Sequence, residues 1–402
     1  MKKSIFSLIV GTLLLGLLYG CSDQSETSGE IKVGVILGFT GPIESLTPTM
    51  AGSAEIAMKE ASDSGALLGG AKIVSVRADS TCTDNAPATQ AAERLITSDK
   101  VVAIMGADCS GVTTAIVNNV AVPNGVPMIS PSATLPALTT IEDKGLFFRT
   151  APSDSRQGQV LAQVVIDRGI DTVAVTYTNV DYGKGLSESF IGSFEALGGK
   201  VTAAVPHEDG KGDYSAEVAT LSASGATELV VLGYLDQGGK GIIQSSLDSG
   251  AFSRFILADG MIGKSLIDNV DGDLTGTFGT VPGSDSEGAS IFIEIAKAND
   301  IPGDGPYEAQ SYDAAALLIL AMQAGGSAER SSIANHIMGV ANAPGEKIYP
   351  GELGKALEII AGGGEVNYEG ATNVEFSEAG DASGSYFEQE IGEGKFNTIQ
   401  VR

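Results

Sequence analysis

The segment from Gly106 to Thr140, GADCSGVTTAIVNNVAVPNGVPMISPSATLPALTT, decides the fold of this chain. An apolar run at Val101–Met105 leads into a small polar turn over residues 107–111, and a second apolar run at Val126–Ile129 leads into another over residues 130–136. Small ligands bind at the carboxyl ends of strands in α/β sheets. Hydroxyls, backbone N–H groups and helix N-termini there favour negative charge, so the segment predicts a site for a carboxylate.

Apolar runs with strand character alternate with runs of helical spacing on both sides of this segment. Up to residue 150, strands are predicted at residues 31–37, 71–77, 101–105, 126–129 and 146–149, and helices at residues 50–64, 85–97 and 111–124. The pattern restarts after residue 151, with helices at residues 155–168, 182–197, 214–224 and 237–249 and strands at residues 172–177, 200–205, 228–233 and 254–257. This alternation implies parallel, doubly wound sheets, and the restart implies two lobes with a cleft between them.

The last third of the chain is mainly helical. Helices are predicted at residues 288–298, 307–324, 327–338 and 351–361. The tail over residues 373–400 has two alternating segments, SYFEQEI and KFNTIQV, which indicate an antiparallel β ending.

Composition excludes several classes of protein. The 402 residues are enough for two or three domains. The formal charge of -26 comes without any basic patch, so nucleic acid is not an expected partner. The sequence has no Walker A or G-x-G-x-x-G motif, and we expect no cofactor.

The N-terminus indicates export. Lys2 and Lys3 precede the apolar run Ile5–Leu17, and Leu18-Tyr19-Gly20-Cys21 follows. Residues 1–20 therefore have the pattern of a signal peptide. The ending resembles a bacterial lipobox, which implies lipid on Cys21, a polar tether over residues 21–30 and a location in the periplasm or at the cell surface, anchored to a membrane. The alternative is an ordinary secretory signal in which Cys21 is removed or idle.

Two further cysteines, Cys82 and Cys109, remain in a chain expected to be exported, where disulfides persist. A bridge between them would clamp the first predicted binding turn, because Cys109 precedes Ser110. The alternative is two buried free thiols.

The sequence argues against an enzyme. It has no G-x-S-x-G or H-E-x-x-H motif, and its two histidines are predicted in a polar loop (His207) and in a helix (His336). Asp271, Asp273 and Gly276 are spaced like a calcium loop, but Pro282 stands where the bidentate acid belongs. We expect a solvated turn there and no metal.

Several motifs in order resemble the type I periplasmic binding proteins of the leucine/isoleucine/valine-binding family, the substrate-capturing components of ABC importers. No single motif is diagnostic, whereas their order and spacing are specific. They cover nearly all of the chain after the signal: IKVGVILGFTGP, the paired Cys82 and Cys109, CSGVTTA, ISPSATLPALT, FFRTAPSD, DYGKG, YEAQSYDAAALL and YEGATNVEFSEAGD.

The resemblance implies a ligand site. Ser110 matches the serine that holds the ligand α-carboxylate, and Ser132 and Thr134 match positions that hold both carboxylate and ammonium. Tyr182 and Tyr234 match aromatic residues of the second lobe that close over the ligand. Asp259 stands where an acid commonly pairs with the α-ammonium. Taken singly, the hydroxyl residues could be helix caps, the tyrosines packed aromatics, and Asp259-Gly260 an ordinary turn.

Three positions depart from the branched-chain binders. Asp259 replaces their Glu, Leu46 replaces a tyrosine of the cleft, and Asp108 stands where they have an apolar residue. If Asp108 faces the cleft, a polar or cationic amino acid or another amine-bearing compound would fit better than leucine, because a buried unpaired carboxylate is costly. Alternatively, Asp108 turns away and caps the following helix.

The resemblance therefore predicts an α/β fold of two doubly wound Rossmann-like lobes joined by three hinge crossings, near Thr150, Val281 and Gly370. Lobe I would comprise residues 31–150 with 282–368, and lobe II residues 151–281 with 369–402. We expect a monomeric lipoprotein that captures an amino acid, branched-chain or related, and delivers it to an ABC permease. A ligand-sensing component of a membrane receptor is the alternative with the same fold.

Overall fold

The computed structural model describes residues 29–402. The strands are β1 (Glu30–Leu37), β2 (Lys72–Asp79), β3 (Ala103–Gly106), β4 (Met128–Ser130), β5 (Phe147–Arg149), β6 (Thr172–Thr178), β7 (Lys200–His207), β8 (Leu229–Leu232), β9 (Phe255–Leu257), β10 (Phe278–Pro282), β11 (Glu346–Ile348), β12 (Val366–Tyr368), β13 (Tyr386–Gly392) and β14 (Lys395–Val401). The helices are α1 (Thr47–Ser64), α2 (Asn85–Thr97), α3 (Ser110–Ile116), α4 (Val122–Asn124), α5 (Asp154–Asp167), α6 (Asp181–Ala196), α7 (Ser215–Ser222), α8 (Gly238–Ser249), α9 (Lys264–Asn269), α10 (Glu287–Lys297), α11 (Glu308–Ala324), α12 (Arg330–Ala341) and α13 (Leu353–Ala361).

The first sheet is parallel and has the strand order β2-β1-β3-β4-β5. Strand β1 lies near its centre, and every residue from Val33 to Leu37 is buried. The order reverses between β1 and β3, which creates a crevice at the carboxyl ends of these two strands. The predicted binding turns follow β3 and β4, so they lie at this edge of the sheet.

The second sheet repeats the same arrangement. Its parallel strands have the order β7-β6-β8-β9-β10, and the hairpin of β13 and β14 continues the sheet antiparallel to β10. The order again reverses beside the first strand of the unit, between β6 and β8. Two α/β lobes with parallel, doubly wound sheets and an antiparallel ending confirm the predicted fold class.

Helix α11 lies in the core of the first lobe. Residues 310–323 are buried on every side of the helix. The helix contacts α1, α12 and strands β3 and β4. Its alanines let these neighbours approach closely, while leucine and isoleucine side chains fill the remaining space. The predicted helix over residues 307–324 is thus present from residue 308.

The chain passes between the two sheets three times. The connecting segments are residues 150–153, residues 283–286 and residues 369–385. The predicted hinges near Thr150, Val281 and Gly370 lie in or beside these segments. Two points stay predictions: the lobes pivot at these segments, and the lobe boundaries fall at residues 150, 282 and 368.

Some elements differ from the prediction. Strand β10, helix α9 and the small parallel pair of β11 and β12 were not predicted. The glycine, threonine and proline of β10 give no strand pattern, and the other elements are too short to show a clear period. The predicted helix over residues 111–124 contains a π-helical stretch at Val117–Ala121 that joins α3 to α4. His207 does not lie in a polar loop: it is the buried last residue of β7, since the strand pairs with β6 up to Thr178.

The predicted signal peptide over residues 1–20, the lipidated Cys21 and the tether up to residue 28 lie outside the described residues. Glu30 is the first residue of β1, one position before the predicted strand start. Between residues 29 and 402, no helix combines the length and the apolar character needed to cross a membrane.

Candidate functional site

The predicted site residues follow the carboxyl ends of strands in both sheets. In the first sheet, Leu46 follows β1, and Asp108 and Ser110 follow β3. Ser132 and Thr134 follow β4. In the second sheet, β6, β8 and β9 are followed by Tyr182, Tyr234 and Asp259. Because the two sheets turn these edges toward each other, residues far apart in sequence meet in one cleft.

The cleft contains a small cavity that is lined by seven of the eight predicted ligand-site residues. Its volume is about 20 Å³, which is enough for roughly one water molecule. An amino acid can therefore enter only if the lobes separate. The cavity is lined by Ile43, Leu46, Met50, Asp108, Cys109, Ser110, Ser132, Tyr182, Tyr234, Asp259, Gly260 and Tyr307.

Larger cavities lie elsewhere on the protein. One of about 510 Å³ lies between α5 and α6, and another of about 620 Å³ lies beside β5 and α12. Neither is lined by any of the predicted ligand-site residues. Volume is a poor guide here, because a cleft that closes over its ligand is narrow when shut.

Asp259 forms an acidic pole at the second-lobe side of the cavity. Its carboxylate is buried and accepts hydrogen bonds from the hydroxyl of Tyr182, at 2.9 Å, and from the hydroxyl of Tyr307. Burial raises the pKa of Asp259, while the hydrogen bonds from Tyr307, Tyr182 and Gln157 oppose that increase. Tyr182 stacks on Tyr234 with ring centroids 5.0 Å apart. A buried acid beside aromatic faces suits an ammonium group.

Ser110 and Ser132 form a polar wall on the opposite side. Ser110 opens α3, and its Oγ accepts a hydrogen bond of 3.2 Å from the backbone N–H of Leu135. The hydroxyl of Ser132 donates to the carbonyl of Asp108 at 3.1 Å. The start of α3 directs unpaired backbone donors toward this wall, which favours a carboxylate.

Thr134 is buried and does not line the cavity. Its carbonyl accepts the backbone N–H of Asp154 at 2.8 Å, and its hydroxyl has no hydrogen-bond partner among residues 29–402. Thr134 therefore lies one layer deeper than Ser132, beside the start of α5.

Asp108 lines the cavity, but its carboxylate also ties two loops together. One oxygen accepts the N–H of Gly38 at 2.6 Å, after β1, and the other accepts the hydroxyl of Ser80 at 2.9 Å, after β2. Burial raises the pKa of Asp108, against the effect of these donors. The N-cap position of α3 is occupied by Cys109. The carboxylate thus has two donors of its own and does not need a cation from a ligand to be satisfied.

The predicted disulfide is present, with the Cα atoms of Cys82 and Cys109 5.1 Å apart. Cys82 follows β2, and Cys109 lies directly before Ser110. The bridge therefore holds the turn after β3 against the neighbouring loop, where both cysteines are buried.

Tyr307 is a site residue that the sequence analysis missed. It precedes α11, and its backbone is left-handed, with φ of +62°. This conformation is uncommon for a bulky residue and often marks a functional position. The signal available in the sequence was its place at the start of the motif YEAQSYDAAALL, but no pattern links that position to Asp259.

Within residues 29–402, no cluster of three or more His, Cys, Asp or Glu side chains could hold a metal ion.

Comparison with known proteins agrees with this architecture. A family model described as periplasmic binding protein matches residues 30–349. Among curated relatives, Leu/Ile/Val-binding protein homolog 1 of Brucella melitensis is 30% identical over 342 residues, which cover 83% of this chain and 87% of the relative. A chemotactic signal transduction system substrate-binding protein of Halobacterium salinarum is 26% identical over 380 residues, covering 92% of this chain and 89% of the relative.

A leucine binding protein from Thermotoga maritima has a similar solved structure. The two folds superpose with a TM-score of 0.76 at 26% sequence identity, and the match covers 92% of this chain and 98% of that chain. The likeness therefore includes both lobes and the order of the chain through them.

Proposed function

The chain belongs to the periplasmic binding protein family, and on that premise we propose that it captures an α-amino acid, branched-chain or related, in its interlobe cleft and delivers it to the permease of an ABC importer. Its relatives are solute-binding proteins, and it is not an enzyme. The proposal includes four specific parts: the ligand class, a lipid anchor on Cys21, a monomeric state and an ABC permease as the partner.

One observation supports the proposal: hydroxyl groups at the start of a helix and a buried acid line the same small cavity. Ser110 and Ser132 come from the first sheet, whereas Asp259 comes from the second. An α-amino acid carries both charges on one carbon and would bridge the two sheets. Such a ligand contacts both lobes only when they are closed, so its binding energy favours closure.

The apolar side of the cavity supports a branched-chain side chain. Ile43, Leu46 and Met50 line it together, and Asp108 beside them already accepts two hydrogen bonds. A leucine side chain in the opened cleft would therefore not leave the Asp108 carboxylate without partners. The alternative ligand, a polar or cationic amino acid, amide or other small amine-bearing compound, would use the remaining acceptor capacity of Asp108.

A second candidate function is ligand sensing. The Halobacterium relative, which matches this chain over 92% of its length, is named as part of a chemotactic signal transduction system. In that case the closed form would be read by a membrane receptor rather than a permease, while capture in the cleft would be the same.

A thermal-shift screen tests the proposal. The purified protein would be melted with each of the twenty L-amino acids and with other amines, amides, sulfonates and carboxylates. A ligand at about one hundred times its dissociation constant adds roughly 2.7 kcal/mol to stability. We expect leucine, isoleucine or valine to raise the melting temperature. Stabilisation only by polar or cationic compounds would favour the alternative ligand class, and no stabilisation by any amino acid would contradict the proposal.

A further inference from the structure

Asp154 is a buried carboxylate that the proposed ligand contacts leave unused. It is the first residue of α5, directly after the first crossing between the lobes, and its side chain is inaccessible to solvent. Its backbone N–H donates to the carbonyl of Thr134, which ties the start of α5 to the turn after β4. Neither oxygen of its carboxylate has a hydrogen-bond partner among residues 29–402.

The neighbours of this carboxylate are also incompletely paired. The hydroxyl of Thr134 lies beside it and lowers its pKa, but no hydrogen bond of ordinary geometry forms between the two groups. The side-chain oxygen of Gln157, one turn further along α5, has no hydrogen-bond partner in the described part of the chain. The amide nitrogen of Gln157 is engaged, since it donates to the carbonyl of Thr280 at 3.1 Å. Leaving such groups unpaired in the interior is costly, so the cluster calls for a donor or a cation.

The groups that face Asp154 do not supply that cation. Asp259 approaches from the turn after β9. Four tyrosines surround the two acids, and each is a neutral donor: Tyr182 of α6, Tyr234 after β8, Tyr307 before α11 and Tyr386 of β13. Burial and the charge of Asp259 raise the pKa of Asp154 well above its usual range, against smaller effects of Thr134 and Arg149. Arg156, two residues along α5, is exposed.

Arg149 is the only Lys or Arg with a buried side chain between residues 29 and 402, and it is committed elsewhere. Its guanidinium donates to Asp381 at 2.6 Å and to the hydroxyl of Thr139 at 2.8 Å. It also donates to the carbonyls of Ala133 and Leu135. The two acids therefore share a buried region in which no side chain of the described chain pairs with Asp154 as a cation.

We infer that Asp154 is a second cation-binding carboxylate of this cleft, which receives the ammonium group of the ligand together with Asp259, and that this ammonium displaces a proton held by the two acids in the ligand-free protein. The inference rests on the proposed function, because it requires an amine-bearing ligand. The displaced proton passes to solvent, the ammonium stays charged, and no covalent bond of the ligand changes. Asp154 and Thr134 do not line the cavity as it stands, so this role requires the ammonium to reach them when the lobes separate.

The arrangement specifies a chemical class. A primary or secondary ammonium has both the positive charge and the N–H donors that the unpaired oxygens of Asp154 and Gln157 need. A quaternary ammonium has no such donors, and a carboxylate without an amine has no compensating charge. Below the pKa of the ligand's own amine, affinity should rise with pH, since protons compete with the ammonium for the same two acids.

Isothermal titration calorimetry of the intact protein with L-leucine tests the inference. The titration would be run near neutral pH in phosphate and in imidazole, two buffers with different ionisation enthalpies. We expect the binding heat to differ between the buffers by an amount that corresponds to the release of a fraction of a proton or more per ligand. In Asp154→Asn, this release should be abolished, and leucine should bind about tenfold or more weakly, because a charge-assisted hydrogen bond is lost.

Asp167→Asn is the matched control, since Asp167 is the last residue of the same helix and pairs with Arg402 near the surface. It should bind leucine and release protons as the unaltered protein does. If Asp154→Asn does not fold, the buffer comparison on the unaltered protein still tests whether binding releases a proton. Equal binding heats in both buffers would overturn the inference. An unchanged affinity for leucine in Asp154→Asn would also overturn the inference, and would mean that water molecules donate the hydrogen bonds to Asp154. Failure of the unaltered protein to bind any amino acid would remove the proposed function and this inference together.

Discussion

The backbone N–H of Ser45 donates a hydrogen bond of 2.9 Å to Oδ2 of Asp236. Ser45 follows β1 in the first sheet and Asp236 follows β8 in the second, so this bond joins the two lobes at the rim of the cleft. The backbone N–H of Asp236 also donates to the carbonyl of Pro42 at 3.0 Å. If the lobes pivot as predicted, contacts of this kind exist only in the closed form and therefore stabilise it selectively.

Asp236→Ala should weaken amino-acid binding by about three- to tenfold, because it removes one charge-assisted hydrogen bond that forms on closure. The side chain does not line the cavity, so the loss would come from a shift toward the open form. Small-angle scattering of the ligand-free protein should show a larger radius of gyration for the variant, and calorimetry should show the weaker affinity.

Ser265→Ala provides the control. The hydroxyl of Ser265 donates to the other oxygen of Asp236 at 2.5 Å, within the second lobe. Its removal should leave both affinity and radius of gyration close to those of the unaltered protein. Equal losses in the two variants would mean that Asp236 acts by ordering its own loop rather than by joining the lobes.

Ser110→Ala and Asp259→Asn should each weaken amino-acid binding by more than about tenfold, since each removes a charge-assisted hydrogen bond to the ligand. The first change acts on the carboxylate-binding wall and the second on the ammonium-binding acid. Titration with leucine, and with its deaminated analogue 4-methylpentanoate, should separate the two. Asp259→Asn should reduce the preference for leucine over the analogue, whereas Ser110→Ala should weaken both.

Exposed residues of the same types serve as controls for this pair. Ser249 ends α8, and Asp268 pairs with Lys264 at the surface. Ser249→Ala and Asp268→Asn should bind leucine like the unaltered protein. An unaltered affinity in both Ser110→Ala and Asp259→Asn would remove the site assignment.

The positions of the site residues follow from sequence because strand ends are visible in it. Ser110, Ser132 and Asp259 each come shortly after an apolar run, and parallel sheets place the carboxyl ends of such runs at one edge. The order of strands and helices therefore located the turns that contain Ser110 and Ser132, whereas Asp259 was singled out by the family resemblance. The short strand β10, FGTVP, escaped prediction because its glycine, threonine and proline give no strand pattern.

The depth and direction of side chains could not be predicted in the same way. Asp108 is held by Gly38 and Ser80, which are 70 and 28 residues away in sequence, and no local pattern announces those partners. Thr134 lies behind the cavity wall because the start of α5 packs on its carbonyl. Tyr307 reaches Asp259 from the entrance of α11 only through a left-handed backbone. Each of these depends on contacts between distant segments.

Replacing Cys82 and Cys109 by serine should lower the free energy of unfolding by about 3 to 4 kcal/mol, because the bridge closes a loop of 27 residues in the unfolded chain. The freed turn precedes Ser110, so leucine affinity should fall as well. Urea denaturation with and without a reductant provides the measurement. The reductant should destabilise the unaltered protein and leave the double variant unchanged. Equal stability of the oxidised protein and the double variant would contradict this prediction.

His207 should make the protein less stable as the pH falls. Its ring is buried at the end of β7, with Nδ1 2.8 Å from the hydroxyl of Thr176. That hydroxyl donates to the carbonyl of Val205, so the neutral ring must donate from Nδ1, and Nε2 has no hydrogen-bond partner in the described chain. Burial lowers the pKa of His207 from 6.5 to about 4, although Glu217 opposes this.

Between pH 6.5 and 4, the unfolded chain therefore binds a proton at His207 that the folded protein does not bind. The stabilising effect of the neutral ring is therefore fully present above pH 6.5 and is lost progressively as the pH falls. The stability lost in this way amounts to about 3 kcal/mol by pH 4. In His207→Gln, the loss of stability over this interval should be smaller by roughly 2 to 3 kcal/mol, as measured by urea denaturation at several pH values without ligand. His336→Gln, at the only other histidine, should follow the unaltered protein. If His207→Gln loses as much stability as the unaltered protein over this interval, the neutral buried state of the ring is contradicted.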